Sequence, residues 1–140
     1  MRLAAIVLFA IVTVEFGGWS LLGFLTGRGE LTPFEEKFFR AGHGHAGVLL
    51  VLGLVYLVLM DRARFKASRQ WLLGGLFLVG VLAQSGGFFV HLMLGEEGTS
   101  SLGTWLTTIG AVLLAVALIS VGLGILRNGG LALDAEESAS

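Results

Sequence analysis

Four stretches of this chain, roughly 3–25, 42–60, 70–94 and 102–126, are nearly free of charge and rich in Leu, Val, Ile, Ala and Gly. Each approaches or exceeds the roughly 20 helical residues needed to cross about 30 Å of hydrocarbon. Inside lipid, backbone N–H and C=O groups find no water, so a continuous apolar run must satisfy them within itself as a helix. The expected fold is therefore all-α, a four-transmembrane-helix antiparallel bundle. Composition agrees, because 55% of residues are hydrophobic and only 14% charged, with a mean hydropathy of +0.87, far from the usage of soluble domains. The 140 residues divide into one membrane domain over 1–128 and a short acidic tail over 129–140, with no length left for a second domain.

The first apolar run follows Arg2 as a leader peptide would, but it continues through Trp19 to Leu25 without an A-x-A pattern, so it reads as a helix. The connection over 26–41 is polar, and Thr32 before Pro33, with Glu35 and Glu36 following, predicts a capped, short interfacial helix running into Arg40. The connection 61–69 is basic and 95–101 is acidic. Lys and Arg are retained on the cytoplasmic side. Arg2, Arg62, Arg64, Lys66, Arg69 and Arg127 lie on one side, against Arg28, Lys37 and Arg40 on the other. That imbalance predicts a multi-pass protein of the plasma or inner membrane with both termini cytoplasmic. Trp71 and Trp105 fit interfacial anchors at opposite faces.

Charge and cysteine usage narrow the chemistry. A net charge of −1 gives no sign of a nucleic-acid partner. The absence of cysteine removes disulfides, iron–sulfur ligation, thioether-attached haem and thiol nucleophiles. Redox chemistry then needs a non-covalent cofactor or a metal held by N and O ligands.

A faint internal repeat is also visible. Glu15-Phe16-Gly17-Gly18-Trp19 parallels Gln84-Ser85-Gly86-Gly87-Phe88, and Ala46-Gly47-Val48-Leu49-Leu50 can be laid over Gly110-Ala111-Val112-Leu113-Leu114. A tandem repeat of two helix hairpins would relate them by an axis along the membrane normal and make Glu15 and Gln84 face one another. Chance similarity between apolar segments explains the match equally well. Glu15 is expensive as a mid-membrane carboxylate, so it is expected to be protonated, paired or in a wet interior. The glycines Gly17, Gly18, Gly47, Gly86 and Gly87 have a ready explanation in close helix contact.

The chain has three histidines, and the topology brings His43, His45 and His91 to the outer side, with His43 and His91 roughly 12–14 Å and His45 roughly 9 Å above the mid-plane at the rise of an α-helix. His43 and His45 diverge by about 200° on a regular helix, so both reach one site only if Gly42 and Gly44 let the backbone unwind. Three readings remain. One histidine of helix two and His91 ligate haem b, with Gly42, Gly44, Gly47, Gly86 and Gly87 giving clearance and Arg40, Lys37 and Arg28 meeting the propionates. Alternatively the three imidazoles hold copper or zinc, completed by Glu96, Glu97 or water. In the third, they are interfacial residues near the headgroups.

The run Phe38-Phe39-Arg40-Ala41-Gly42-His43-Gly44-His45-Ala46-Gly47-Val48-Leu49, opening an apolar helix, resembles the G-H-x-H-A-G segment of small four-helix bacterial integral membrane proteins, a resemblance that covers most of the chain and carries no activity with it. Over about a dozen residues it is more loosely similar to the helix-opening histidine segments of haem-bearing membrane bundles such as the catalytic subunit of haem–copper oxidases. That second resemblance implies haem ligation at His43 or His45. It implies no oxygen reduction, because the chain has far fewer helices and nothing matching the oxidase copper ligands. The expected function is haem or metal binding by a small redox or sensor subunit. Its alternatives are a cofactor-free structural or assembly subunit of a larger membrane complex or homo-oligomer, and a small proton- or ion-coupled transporter using Glu15. No nucleophile or acid/base pair assigns an enzymatic reaction.

Overall fold

The computed structural model describes residues 2–137, with the side chains of Arg28 and of 129–137 outside the described set. It is all-helical: α1 Arg2–Gly23, α2 Pro33–Arg62, α3 Ala67–Leu94 and α4 Leu102–Glu137. All four contain a segment long and apolar enough to cross a membrane. The chain is thus a multi-pass, membrane-type four-helix bundle whose apolar exterior suits contact with a lipid bilayer. α1 leaves its axis through a widened turn, Phe24–Arg28, where Gly27 has φ of 94°, a left-handed conformation that glycine adopts without steric cost.

The expected capping box is present at the start of α2. The Glu35 N–H donates to Thr32 Oγ1 at 3.2 Å and the Thr32 N–H donates to Glu35 Oε2 at 2.8 Å. The helix it starts differs from the one read in the sequence, however. Instead of a separate interfacial helix followed by a span beginning at 42, Pro33–Arg62 is one helix of 30 residues. A glycine in a helix costs only about 1 kcal/mol relative to alanine, and releasing backbone hydrogen bonds beside lipid costs more. Gly42 and Gly44 are therefore too weak to break the ladder.

The tightest contact is between α3 and α4. A Cβ at Gly87 would meet the Gly103 carbonyl and Thr107, one at Gly103 would meet the backbone of Gly87 and His91, and one at Gly110 would meet the backbone of Gln84. Thr107 Oγ1 donates to the Gln84 carbonyl at 3.3 Å across this seam. Backbone against backbone is the approach that small residues permit in membranes. α2 lies against α3 through Gly53, which faces the Phe77 ring, and through Tyr56, whose ring stacks on Phe77 at 4.5 Å. The Tyr56 hydroxyl lies within 3.3 Å of the Leu73 carbonyl and 3.4 Å of the Ala117 carbonyl, tying α2 to both α3 and α4.

α1 is the loosest member. It packs mainly on α2, touches α3 lightly and makes no close backbone approach to α4 among the described residues, and its buried residues are Val7 and Gly23. The two hairpins are thus unequal: α3–α4 is a glycine seam, whereas α1–α2 is spaced by the His43 ring over Gly17 and Gly18. Glu15 and Gln84 do not face one another. Glu15 is exposed on the flank of α1, about 100° round the helix from Val14, which faces Gly47 of α2, while the Gln84 backbone is held against α4.

These contacts set the stability effects of three substitutions. Gly87→Ala should lower the melting temperature of detergent-solubilised protein, because the methyl meets backbone that cannot rotate away, at about 1–3 kcal/mol or more. Gly44→Ala, with open space at its Cβ, should leave the melting temperature unchanged or higher. Ser85 is 5% exposed and its hydroxyl has no hydrogen-bond partner among the described residues, so Ser85→Ala should be neutral or stabilising, and clear destabilisation in a thermal melt would contradict this placement.

Candidate ligand site between helices two and four

Continuous helix through 42–47 decides which histidines can share a site. His43 points to α1, where its ring lies over Gly17 and Gly18, 3.1 Å from where a Gly18 Cβ would sit. His45, on the opposite face, lies against Phe88 of α3 with ring centroids 4.8 Å apart. Phe34 and Phe38 fall on the same stripe of α2 as His45, within about 40°, and both rings lie against His91, at 5.6 Å and 4.4 Å. His91 therefore faces the gap that opens between α2 and α4 over α3 in the outer half, whereas His45 is exposed and reaches that region only through its contact with Phe88. His43 lies on the other side of α2.

The gap has a definable lining. Its floor is Gly87, Phe88 and His91 of α3, one wall is Phe38 of α2, and the other is Thr104, Thr107 and Thr108 of α4, enclosing about 250 Å³. It exists because α2 and α4 are joined farther in, through Tyr56 and Ala117. Its side chains are aromatic or hydroxylic, apart from the imidazole.

The hydrogen bonds of the two imidazoles fix what they can offer. His45 Nδ1 lies 2.8 Å from the Ala41 carbonyl oxygen. A carbonyl only accepts, so the neutral ring carries its proton on Nδ1 and keeps a bare lone pair on Nε2. His91 is buried, 4% exposed, with Nδ1 2.7 Å from Ser101 Oγ. Ser101 Oγ also accepts the Gly103 N–H at 3.0 Å, capping α4. The Ser101 hydroxyl can accept from or donate to His91 Nδ1, so this contact orients the ring in either tautomer. An Nδ1 anchored by an acceptor is the arrangement that orients ligating histidines.

The remaining sequence candidates are dispersed. Arg40 is exposed and its Nη1 contacts Glu36 Oε1 at 3.0 Å, on a side of α2 well round from the His45 stripe. Lys37 Nζ lies 6.0 Å from the Phe38 ring centroid, which makes it the cation nearest the gap among those two; the side chain of Arg28 lies outside the described residues. Gly47 faces Val14 of α1, and Gly87 is spent on contact with Gly103 and Thr107. Glu96 and Glu97 are exposed in the α3–α4 connection. Among the described residues, no three His, Cys, Asp or Glu side chains gather closely enough to hold a metal ion, so the His43, His45, His91 cluster is not assembled.

A porphyrin sandwiched between α2 and α3 finds no room, because Gly42 sits directly on Phe88 and Phe89, with Cβ contacts of 2.8–3.1 Å. His91 also lies level with Phe34 and Phe38, whereas His45 is seven residues farther along α2 than Phe38, roughly 10 Å of rise. One iron between both imidazoles does not fit this arrangement. A group ligated from one side, by one Nε2, fits the donor chemistry of the gap. Sequence reasoning missed Ser101 and the rings of Phe34, Phe38 and Phe88. A serine just before the fourth apolar run is a capping signal, which could have pointed to Ser101. No family model, no curated protein and no solved structure matches the chain.

Proposed function

We propose that this protein binds haem or a single transition-metal ion from one side, through the exposed His45 imidazole beside Phe88 or the His91 imidazole of the outer α2–α4 gap, and serves as a small redox or sensor subunit of the plasma or inner membrane. The observation that carries this reading is the His45 Nδ1 to Ala41 carbonyl contact of 2.8 Å, which leaves Nε2 as a ready ligand. His45 is the first ligand and His91, anchored on Ser101, is the second candidate. His43 takes no part. The distribution of Lys and Arg supports cytoplasmic termini, and on that reading the gap lies in the outer leaflet.

One structural observation favours a second reading. Glu15 is exposed on a face of α1 that also carries the exposed Phe9, Val12, Phe16 and Trp19, and a carboxyl group turned to lipid alone is costly, which favours a polar partner for it. On this reading the chain is a structural or assembly subunit of a larger complex and Glu15 meets a polar group of a neighbour. Its position on the outer flank gives less support to a transport pathway through the bundle.

Haem added to detergent-purified protein should give a Soret band with the spectrum of one imidazole ligand. His45→Ala should weaken binding at least about tenfold, since a lost metal ligand costs more than a second-layer contact, and Ser101→Ala should weaken any share carried by His91. His43→Ala should bind as wild type. Protein that stays colourless with haem and takes up no copper or zinc by elemental analysis would sink the cofactor reading, and co-purification of larger partners under mild detergent would then support the subunit reading.

A further inference from the structure

At the opposite end of the bundle, Arg64, Arg69 and Arg127 line one cavity of about 640 Å³ together with Phe65, Asn128 and the α4 residues Ser120, Leu123 and Gly124. Among the described residues no acidic side chain lines it. Among the described residues none of the three guanidinium groups has an ion-pair partner; the ion pair found is Arg40 with Glu36, on α2 near the other end. From these groups we propose that this cavity binds the phosphate headgroup of an anionic phospholipid.

Three features show a built site rather than a scatter of basic residues. Phe65 is seated on Gly124, where a Cβ would collide with its ring, and Asn128 Nδ2 donates to the Ala63 carbonyl. Both contacts clamp the α2–α3 connection onto α4 and so bring Arg64 and Arg69 beside Arg127. The Arg69 guanidinium lies 4.2 Å from the Phe65 ring centroid, a cation–π contact that holds the group in place and leaves its N–H edge free. Arg64 has φ of 50°, a left-handed position just past the α2 C-terminus where glycine is the ordinary residue. An arginine held there accepts backbone strain and gains a fixed exit direction for its side chain.

The shape of the cavity favours a lipid over a soluble anion. It runs from Arg127 and Asn128 down α4 to Ser120, seven residues or roughly 10 Å toward the bilayer centre. Leu123 and Gly124 on that path give an acyl chain an apolar surface, while the guanidinium groups stay at headgroup level. Guanidinium groups bind phosphate oxygens through paired, charge-assisted hydrogen bonds. Basic pockets between membrane helices on the positively charged side take anionic headgroups in this manner.

The test titrates the full chain in detergent micelles with phosphatidylglycerol or phosphatidylcholine and counts retained lipid by native mass spectrometry. Phosphatidylglycerol should be retained and phosphatidylcholine not, and the double variant Arg69→Gln with Arg127→Gln should weaken retention by about tenfold or more. Arg62→Gln and Lys66→Gln remove the same charge from the same connection outside the cavity lining and should change it less than about twofold. Arg64→Gly relaxes the backbone, keeps the fold and should still weaken retention, which covers the case in which the double variant does not fold. Equal losses in Arg62→Gln and Arg69→Gln, or equal retention of the two lipids, would overturn the site. Inorganic phosphate should displace the lipid no better than chloride at equal ionic strength; displacement at lower concentration would overturn the lipid assignment in favour of a soluble phosphate.

Discussion

The contact of α3 with α4 through glycine is the constraint on which the rest of the bundle depends. Apolar side chains gain nothing by leaving lipid for one another, so helices associate in membranes through close fit and polar contact. Gly87, Gly103 and Gly110 let two backbones meet. That seam holds the Thr104, Thr107 and Thr108 wall beside the His91 floor. It also brings the N-terminus of α4 under the end of α3, so that Ser101 reaches His91. The outer gap is a consequence: α2 is drawn to α4 at Tyr56 and Ala117, while near His45 and Phe38 it rests on Phe88 of α3.

Helical geometry then sorts the histidines. A 200° step between positions 43 and 45 is unavoidable in a regular helix, so one imidazole packs on α1 and the other on Phe88 of α3. His43 spaces α1 from α2 over Gly17 and Gly18. His45 keeps its Nδ1 on its own helix and presents Nε2 outward. Two residues of one short motif thereby take different surroundings, one in contact with α1 and one beside Phe88 of α3.

Much of this was legible in advance, and the parts that were not share a cause. The apolar run lengths specify four membrane-type helices because lipid tolerates no other way to satisfy the backbone there, and Thr32, Pro33 and Glu35 mark the start of α2 because capping is local. The continuity of α2 through Gly42 and Gly44 was not legible, since it depends on a balance between glycine entropy and hydrogen bonds beside lipid. The role of Gly87 was ambiguous for a similar reason: a glycine's spacing does not say whether a helix or a ligand fills the space above it. The Glu15 and Gln84 pairing drawn from the repeat failed because α1 and α3 use different faces. Arg64, Arg69 and Arg127 were readable only as a topology signal, since their convergence comes from the clamp of Phe65 on Gly124.

The central claim is that His45, beside Phe88, carries a bare Nε2 while His43 packs on Gly17 and Gly18 of α1. Imidazole nitrogen NMR on protein labelled with ¹⁵N-histidine measures this before and after addition of haem or Cu(I). The account predicts a His45 ring protonated at Nδ1 and bare at Nε2, with the Nε2 resonance shifting on addition and the His43 resonances unmoved. A His45 ring bare at Nδ1, or a response at His43 with none at His45, would contradict it.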